Sequence, residues 1–184
     1  MRVNSYKKII NYNHCKFSDS IQNWQDFRYQ DKRAVAPSWC HGASGIALSY
    51  LTSKQFLNLD FDFINWGKIG SLIIKEGFNS LHCLCHGMIG NAEAVIAISN
   101  FINKPELKNL VKNRIFCEIE ENNKELKWRT GFTNGKYSLN GLLLGTSGIG
   151  YGLLNIFLDE HIPSILTLEP PKSISFLKSK NDSL

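Results

Sequence analysis

The chain has 184 residues, 43% of them hydrophobic, which is enough for one domain with a sizeable core. Against 16 acidic residues, 21 Lys and Arg leave a net charge of +5, spread thinly along the chain. No basic stretch interleaved with aromatics supports a nucleic-acid surface, and the apolar runs are too short and too broken by charge to span a bilayer.

The N-terminal Met1-Arg2-Val3-Asn4-Ser5-Tyr6-Lys7-Lys8 lacks the apolar core of a signal peptide, which predicts a cytoplasmic protein. Residues 1–36 read mostly as loop with some short helix, with Trp24, Phe27 and Tyr29 as packing anchors. A helix is predicted after Gly45, through Ile46 to Leu51. Residues 61–76 return apolar side chains at three- and four-residue steps, the period of an amphipathic helix, and Gly77 is its expected C-cap. A helix dense in small residues follows over 91–102. Asn103-Lys104-Pro105 ends it, and Pro105 suits the first turn of the next helix, 106 to about 125. That helix carries Leu107, Val111, Ile115 and Ile119 on one face. Residues 128–138, with two glycines and an Asn-Gly signal, read as a loop or small hairpin. A further short helix follows Gly148, and 166–184 reads as an irregular or disordered tail.

Three segments along this chain share a pattern: Trp39-Cys40-His41-Gly42-Ala43-Ser44-Gly45, Leu84-Cys85-His86-Gly87-Met88-Ile89-Gly90 and Leu144-Gly145-Thr146-Ser147-Gly148. Each sets G-x-x-G before a small, apolar, helix-like run. Gly42 and Gly87 are 45 residues apart, and Gly87 and Gly145 are 58 apart, spacings that fit two helices per repeat. A repeat array carries equivalent positions to one shared face, so Cys40, Cys85 and His86 are expected to meet in space. Thiolate and imidazole are the donors zinc prefers, and three of them leave a fourth position open for water or substrate.

Equivalent Cys-His-Gly triplets at two repeat positions single these residues out from ordinary buried thiols. The third repeat has Leu143 and Leu144 at those places, which suits three protein ligands. Cys83, two residues from Cys85, reads instead as a packed thiol, because residues two apart on a helix face nearly opposite ways. The five cysteines are odd in number and irregularly spaced, so they read as free thiols or ligands rather than disulfides. His82 and His161 are expected at surfaces or helix ends. No H-E-x-x-H occurs, which leaves a zinc hydrolase as the weaker enzymatic reading.

The segments Ser38-Trp39-Cys40-His41-Gly42, Leu84-Cys85-His86-Gly87-Met88-Ile89-Gly90-Asn91-Ala92-Glu93 and Gly145-Thr146-Ser147-Gly148-Ile149-Gly150-Tyr151-Gly152 resemble the lanthionine synthetase C-like cyclases. Asn23-Trp24-Gln25-Asp26-Phe27-Arg28 and Pro163-Ser164-Ile165-Leu166-Thr167-Leu168-Glu169-Pro170 look most like the cyclase region of class II lanthipeptide synthetases. The likeness covers roughly 23–171, leaving 172–184 as tail. It implies an all-α fold, an α/α toroid, of which this chain holds the later repeats, since a full ring takes about twice this length. It further implies zinc held by Cys40, Cys85 and His86; His41, beside a ligand and near the open position, is the candidate acid. The implied reaction is addition of a peptide cysteine to dehydroalanine or dehydrobutyrine in a dehydrated precursor peptide, forming thioether rings. Earlier family repeats supply a catalytic His and an Asp without counterparts here, and Ala36 stands where some members have Arg. Hence the alternative expectation is a truncated or split-gene piece that binds zinc or peptide without turnover, its N-terminal half encoded separately. Glutathione addition to dehydroamino acids is a related expectation.

Overall fold

The protein was analysed as a computed structural model, which describes residues 2–28, 36–56, 64–78, 81–123, 128–132, 139–158 and 162–170. Among these residues lie six helices: α1 (Arg2–Lys16), α2 (Ala43–Phe56), α3 (Trp66–Gly77), α4 (Met88–Phe101), α5 (Pro105–Asn123) and α6 (Thr146–Phe157). The two strands, β1 (Phe17–Ser18) and β2 (Asn23–Trp24), form one short antiparallel pair.

The architecture is an arc of an α/α toroid. Helices α2, α4 and α6 stand side by side as one layer, and α3 and α5 pack behind α4 as the second. α4 lies at the centre, touching α2, α3, α5 and α6, and its small residues are what permit this. Met88, Ile89, Ala92, Ala94, Val95 and Ile98 are buried around most of its circumference, which leaves only the face of Glu93, Ile96, Ala97 and Asn100 partly open, along a cleft. α3 is one-sided by contrast, burying Trp66, Ile69 and Ile73, and its first turn is capped by Asn65 Oδ1, which accepts from Lys68 N at 3.0 Å. α5 begins at Pro105 as expected, and Val111 and Ile115 are its fully buried pair, with Leu107 and Ile119 packed beside them.

The three glycine pairs build one loop three times. The backbone N–H of Ala43, Met88 and Thr146 donates to the carbonyl of the residue seven earlier, Ala36, Leu81 and Leu139, at 2.9, 2.7 and 2.8 Å. A Cβ on Gly45, Gly90 or Gly148 would land on the carbonyl oxygen of Trp39, Leu84 or Leu142, so each loop closes only if that position has no side chain. The second glycine therefore lies inside the first helical turn, and each helix starts three residues before its expected start.

Other boundaries also differ. Residues 2–16 are helical where mostly loop was expected, because α1 is held by tertiary contacts that its weak apolar pattern does not advertise. Ile10 is buried, and its carbonyl accepts from Tyr50 Oη at 3.3 Å. Trp24 is a buried anchor, Phe27 is 60% exposed and is not one, and Tyr29 lies outside the described residues. The expected start of α3 at 61–63 is likewise outside them. Gly77 is the last helical residue rather than a left-handed cap, and a Cβ there would meet Asn91 Nδ2 at 2.5 Å.

The C-terminal segment corrects another expectation. Residues 162–170 form an ordered strap over the helix layer, while 171–184 lie outside the described residues. Leu166 is buried, and its carbonyl accepts from Trp39 Nε1 at 3.3 Å. Tyr151 Oη donates to Pro163 O at 2.7 Å and accepts from Ile165 N at 3.0 Å. Ser164 Oγ bonds to Glu93, and Ser164 N donates to Glu169 Oε2 at 3.1 Å. These ties are what a composition of Pro, Ser and Lys could not reveal.

Candidate metal centre

The repeated loops lie against one another through their second residues. Cys40 N donates to Cys85 O at 3.2 Å, and Cys85 N donates to Leu143 O at 2.9 Å. This ladder brings equivalent positions of successive repeats together, although they are far apart in sequence. As a result the Sγ atoms of Cys40 and Cys85 and a ring nitrogen of His86 lie within 4.8 Å of one another. Donors around one tetrahedral zinc ion are about 3.7 Å apart. Small side-chain rotations close that difference, so two thiols and an imidazole fit a zinc ion. Cys40 is exposed, and Cys85 and His86 are half-buried, which leaves the cluster open on one side.

Burial, a hydrogen bond that the Cys85 thiol donates to Cys40 and the charge of that second sulfur push the Cys85 pKa up to about 12. Two thiolates side by side need a cation between them, and a bound metal would reverse this balance. In the third loop, Leu143 and Leu144 occupy the Cys and His positions, so the described ligand set stops at three. Cys83 is fully buried, and burial raises its thiol pKa; it packs as the sequence indicated. All five cysteines are free.

His41 stands beside the cluster, its Nδ1 at 2.8 Å from Cys40 Sγ. Burial holds its pKa below the ordinary imidazole value, helped by the Arg28 guanidinium and opposed by the Asp26 carboxylate. Asp26 and Arg28 form a bidentate pair, with Arg28 Nε at 2.9 Å from Asp26 Oδ1. The sequence reading had noted this segment without assigning either residue a place near His41.

A second feature escaped the sequence reading. His82, expected at a surface, is 1% exposed. The backbone N–H of Arg129 donates to its Nδ1 at 3.0 Å, which leaves the proton of the neutral ring on Nε2, an atom 2.9 Å from both Glu118 Oε1 and Arg129 Nη2. The Arg129 side chain bonds to the same carboxylate, and Trp128 packs edge-on against the imidazole. Burial lowers the His82 pKa, Glu118 opposes this and Arg129 adds to it. These contacts hold residues 128–132 between the second and third loops, where Gly131 N donates to Leu144 O at 2.7 Å. A Cβ on Gly131 would come within 2.8 Å of Cys83 Sγ and 3.2 Å of His86 Cε1. The backbone therefore backs directly onto the His86 ring. No local signal announced this, since Glu118 and Arg129 lie 36 and 47 residues from His82. His161 lies outside the described residues.

Comparison with known proteins agrees with this arrangement. Residues 3–167 match the family described as lanthionine synthetase C-like protein. The lacticin 481/lactococcin biosynthesis protein LcnDR2 of Lactococcus lactis subsp. lactis is 30% identical over an alignment that covers 83% of this chain. The aligned region is 18% of that relative's length, so the chain corresponds to a minor part of it. With the family match running through all three repeated loops and the Cys-His cluster they assemble, the chain belongs to the lanthionine synthetase C-like family.

Proposed function

We propose that this chain is the zinc-bearing part of a lanthionine cyclase that forms thioether rings in a dehydrated precursor peptide. The convergence of Cys40, Cys85 and His86 carries the reading, and the Lactococcus relative, a lacticin 481/lactococcin biosynthesis protein by name, supports it; the class II branch is what the motifs at 23–28 and 163–170 resemble. Bound by these three residues, zinc supplies the positive charge that holds a peptide cysteine as its thiolate at neutral pH.

The chemistry then asks two things of the chain. The open side of the cluster admits the peptide, whose sulfur bonds to the β-carbon of dehydroalanine or dehydrobutyrine while the double-bond electrons shift onto the carbonyl. The resulting enolate takes a proton at the α-carbon. His41 is the donor in this reading. Its Nδ1 is engaged with Cys40, so Nε2 serves the peptide, and a lowered pKa makes the protonated ring a stronger acid. No described helix is long and apolar enough to cross a membrane, which fits a cytoplasmic site of action.

A second reading is favoured by the small share of the relative that the chain spans: a piece that binds zinc or peptide but turns over only with the earlier repeats. One experiment serves both. A dehydrated peptide with one cysteine is incubated with the zinc-supplemented chain, with and without the earlier repeats of a full-length relative supplied in trans, and free thiol is counted by alkylation and mass spectrometry. We expect ring formation when the earlier repeats are present, reduced about 100-fold by His41→Ala. Absence of rings in the combined sample, with zinc bound, would contradict the cyclase reading.

A further inference from the structure

A cleft of about 520 Å³ runs from the candidate metal centre between α2 and the C-terminal strap. Cys40 and His41 line it themselves, so whatever occupies it is continuous with the thiol site. Its other lining divides chemically. Trp39, Ile46, Leu166 and Leu168 are apolar, and Ser49, Thr52 and Ser53 contribute hydroxyls from α2. No Asp, Glu, Lys or Arg is among the described residues that line it. Charge surrounds the lining without entering it: the Asp26–Arg28 pair acts on His41, and the neighbouring cleft, of about 600 Å³, which shares Leu48, Thr52 and Thr167 with the first, includes Lys54, Glu93 and Glu169.

The strap itself is held on both sides. Trp39 Nε1 holds the Leu166 carbonyl, and Tyr151 and Glu93 hold Pro163 and Ser164. Leu168 follows with φ of 56°, a left-handed conformation rare for a branched residue, and is 86% exposed. A large apolar side chain is thus held out at the cleft beside Cys40 and His41 rather than folded inward.

We infer that the strap is the specificity wall of this centre: Leu168, with Leu166 and Ile46, receives the residue flanking the reacting cysteine of the substrate peptide and selects an uncharged, apolar one. This rests on the cyclase reading for the identity of the occupant. A leucine flank would cover the exposed Leu168, whereas a charged flank would gain nothing from Leu168, Leu166 and Ile46. Leu168 and its neighbours are specificity-determining residues here, without a part in proton transfer.

The test uses the full chain with added zinc and two synthetic ten-residue peptides, each with one cysteine flanked by leucine in one and by aspartate in the other. Binding is measured by isothermal titration, and zinc content by elemental analysis. The expected result is at least tenfold tighter binding of the leucine peptide, with Leu168→Asp removing the preference and leaving the zinc content unchanged. An equal affinity for the two peptides, a preference that survives Leu168→Asp, or no binding of either would overturn the inference. The last of these would mean that another part of a longer protein covers the cleft. Should the chain hold no zinc yet keep a Leu168-dependent preference, the wall stands and the cyclase reading falls.

Discussion

At the scale of single residues, the most consequential side chain outside the cluster is His82. Its Nδ1 accepts from the Arg129 backbone, so the buried ring is neutral, with its proton directed at Glu118. Protonating it would place a second cation beside Arg129. Because burial lowers the folded pKa below the ordinary value near 6.5, the unfolded chain takes up a proton first as pH falls. Stability from this group is therefore complete above about pH 6.5 and is lost below it, at up to about 1.4 kcal/mol per pH unit. Urea unfolding of the wild type should lose more free energy between pH 7.5 and 5.5 than that of His82→Gln. Parallel pH profiles for the two proteins would show that His82 does not titrate on unfolding. The sequence could not expose this group, because its partners are 36 and 47 residues away and nothing local distinguishes it from a surface histidine. Cys40, Cys85 and His86 were legible for the opposite reason: each sits in a short triplet that repeats, and repetition turns local spacing into a statement about space.

Elements were readable in proportion to how far their own periodicity governs them. α3 and α5 have one apolar face and were found nearly whole. α2, α4 and α6 begin three residues before their expected starts, because their first turns are fixed by loop backbone and not by side-chain pattern. α1 and the 162–170 strap were missed, since both are held by contacts across the fold, such as the Trp39–Leu166 bond spanning 127 residues. The repeated loop is the element that matters most. Gly90→Ala would drive a Cβ into the Leu84 carbonyl, which a backbone cannot yield without opening the loop between Cys85 and α4. We expect a loss of about 3 kcal/mol, read as a fall in the urea midpoint with an unchanged slope. Gly150→Ala is the control, because nothing lies within 4 Å of a Cβ there. Equal midpoints for the two variants would contradict the close-approach account of the glycine pairs.

For the whole molecule, the arrangement explains why the Cys40, Cys85 and His86 cluster arises at one end of a helical arc. Each repeat brings its loop to the same end of the helix layer, and the backbone ladder from Cys40 through Cys85 to Leu143 sets neighbouring loops in register. Two loops then supply Cys40, Cys85 and His86 to one cluster, and the third supplies leucines. Fold class and the convergence of Cys40, Cys85 and His86 followed from the sequence because both depend on the repeat. The brace behind His86 and the strap beside Cys40 did not, because each joins segments that share no pattern. The central claim is that these loops assemble a zinc site from Cys40, Cys85 and His86, and elemental analysis of the purified, monodisperse chain tests it most directly. The account predicts about one zinc per chain, lost in Cys40→Ala and in Cys85→Ala and kept in Cys83→Ala. Full zinc in either of the first two variants, or none in the wild type, would contradict it.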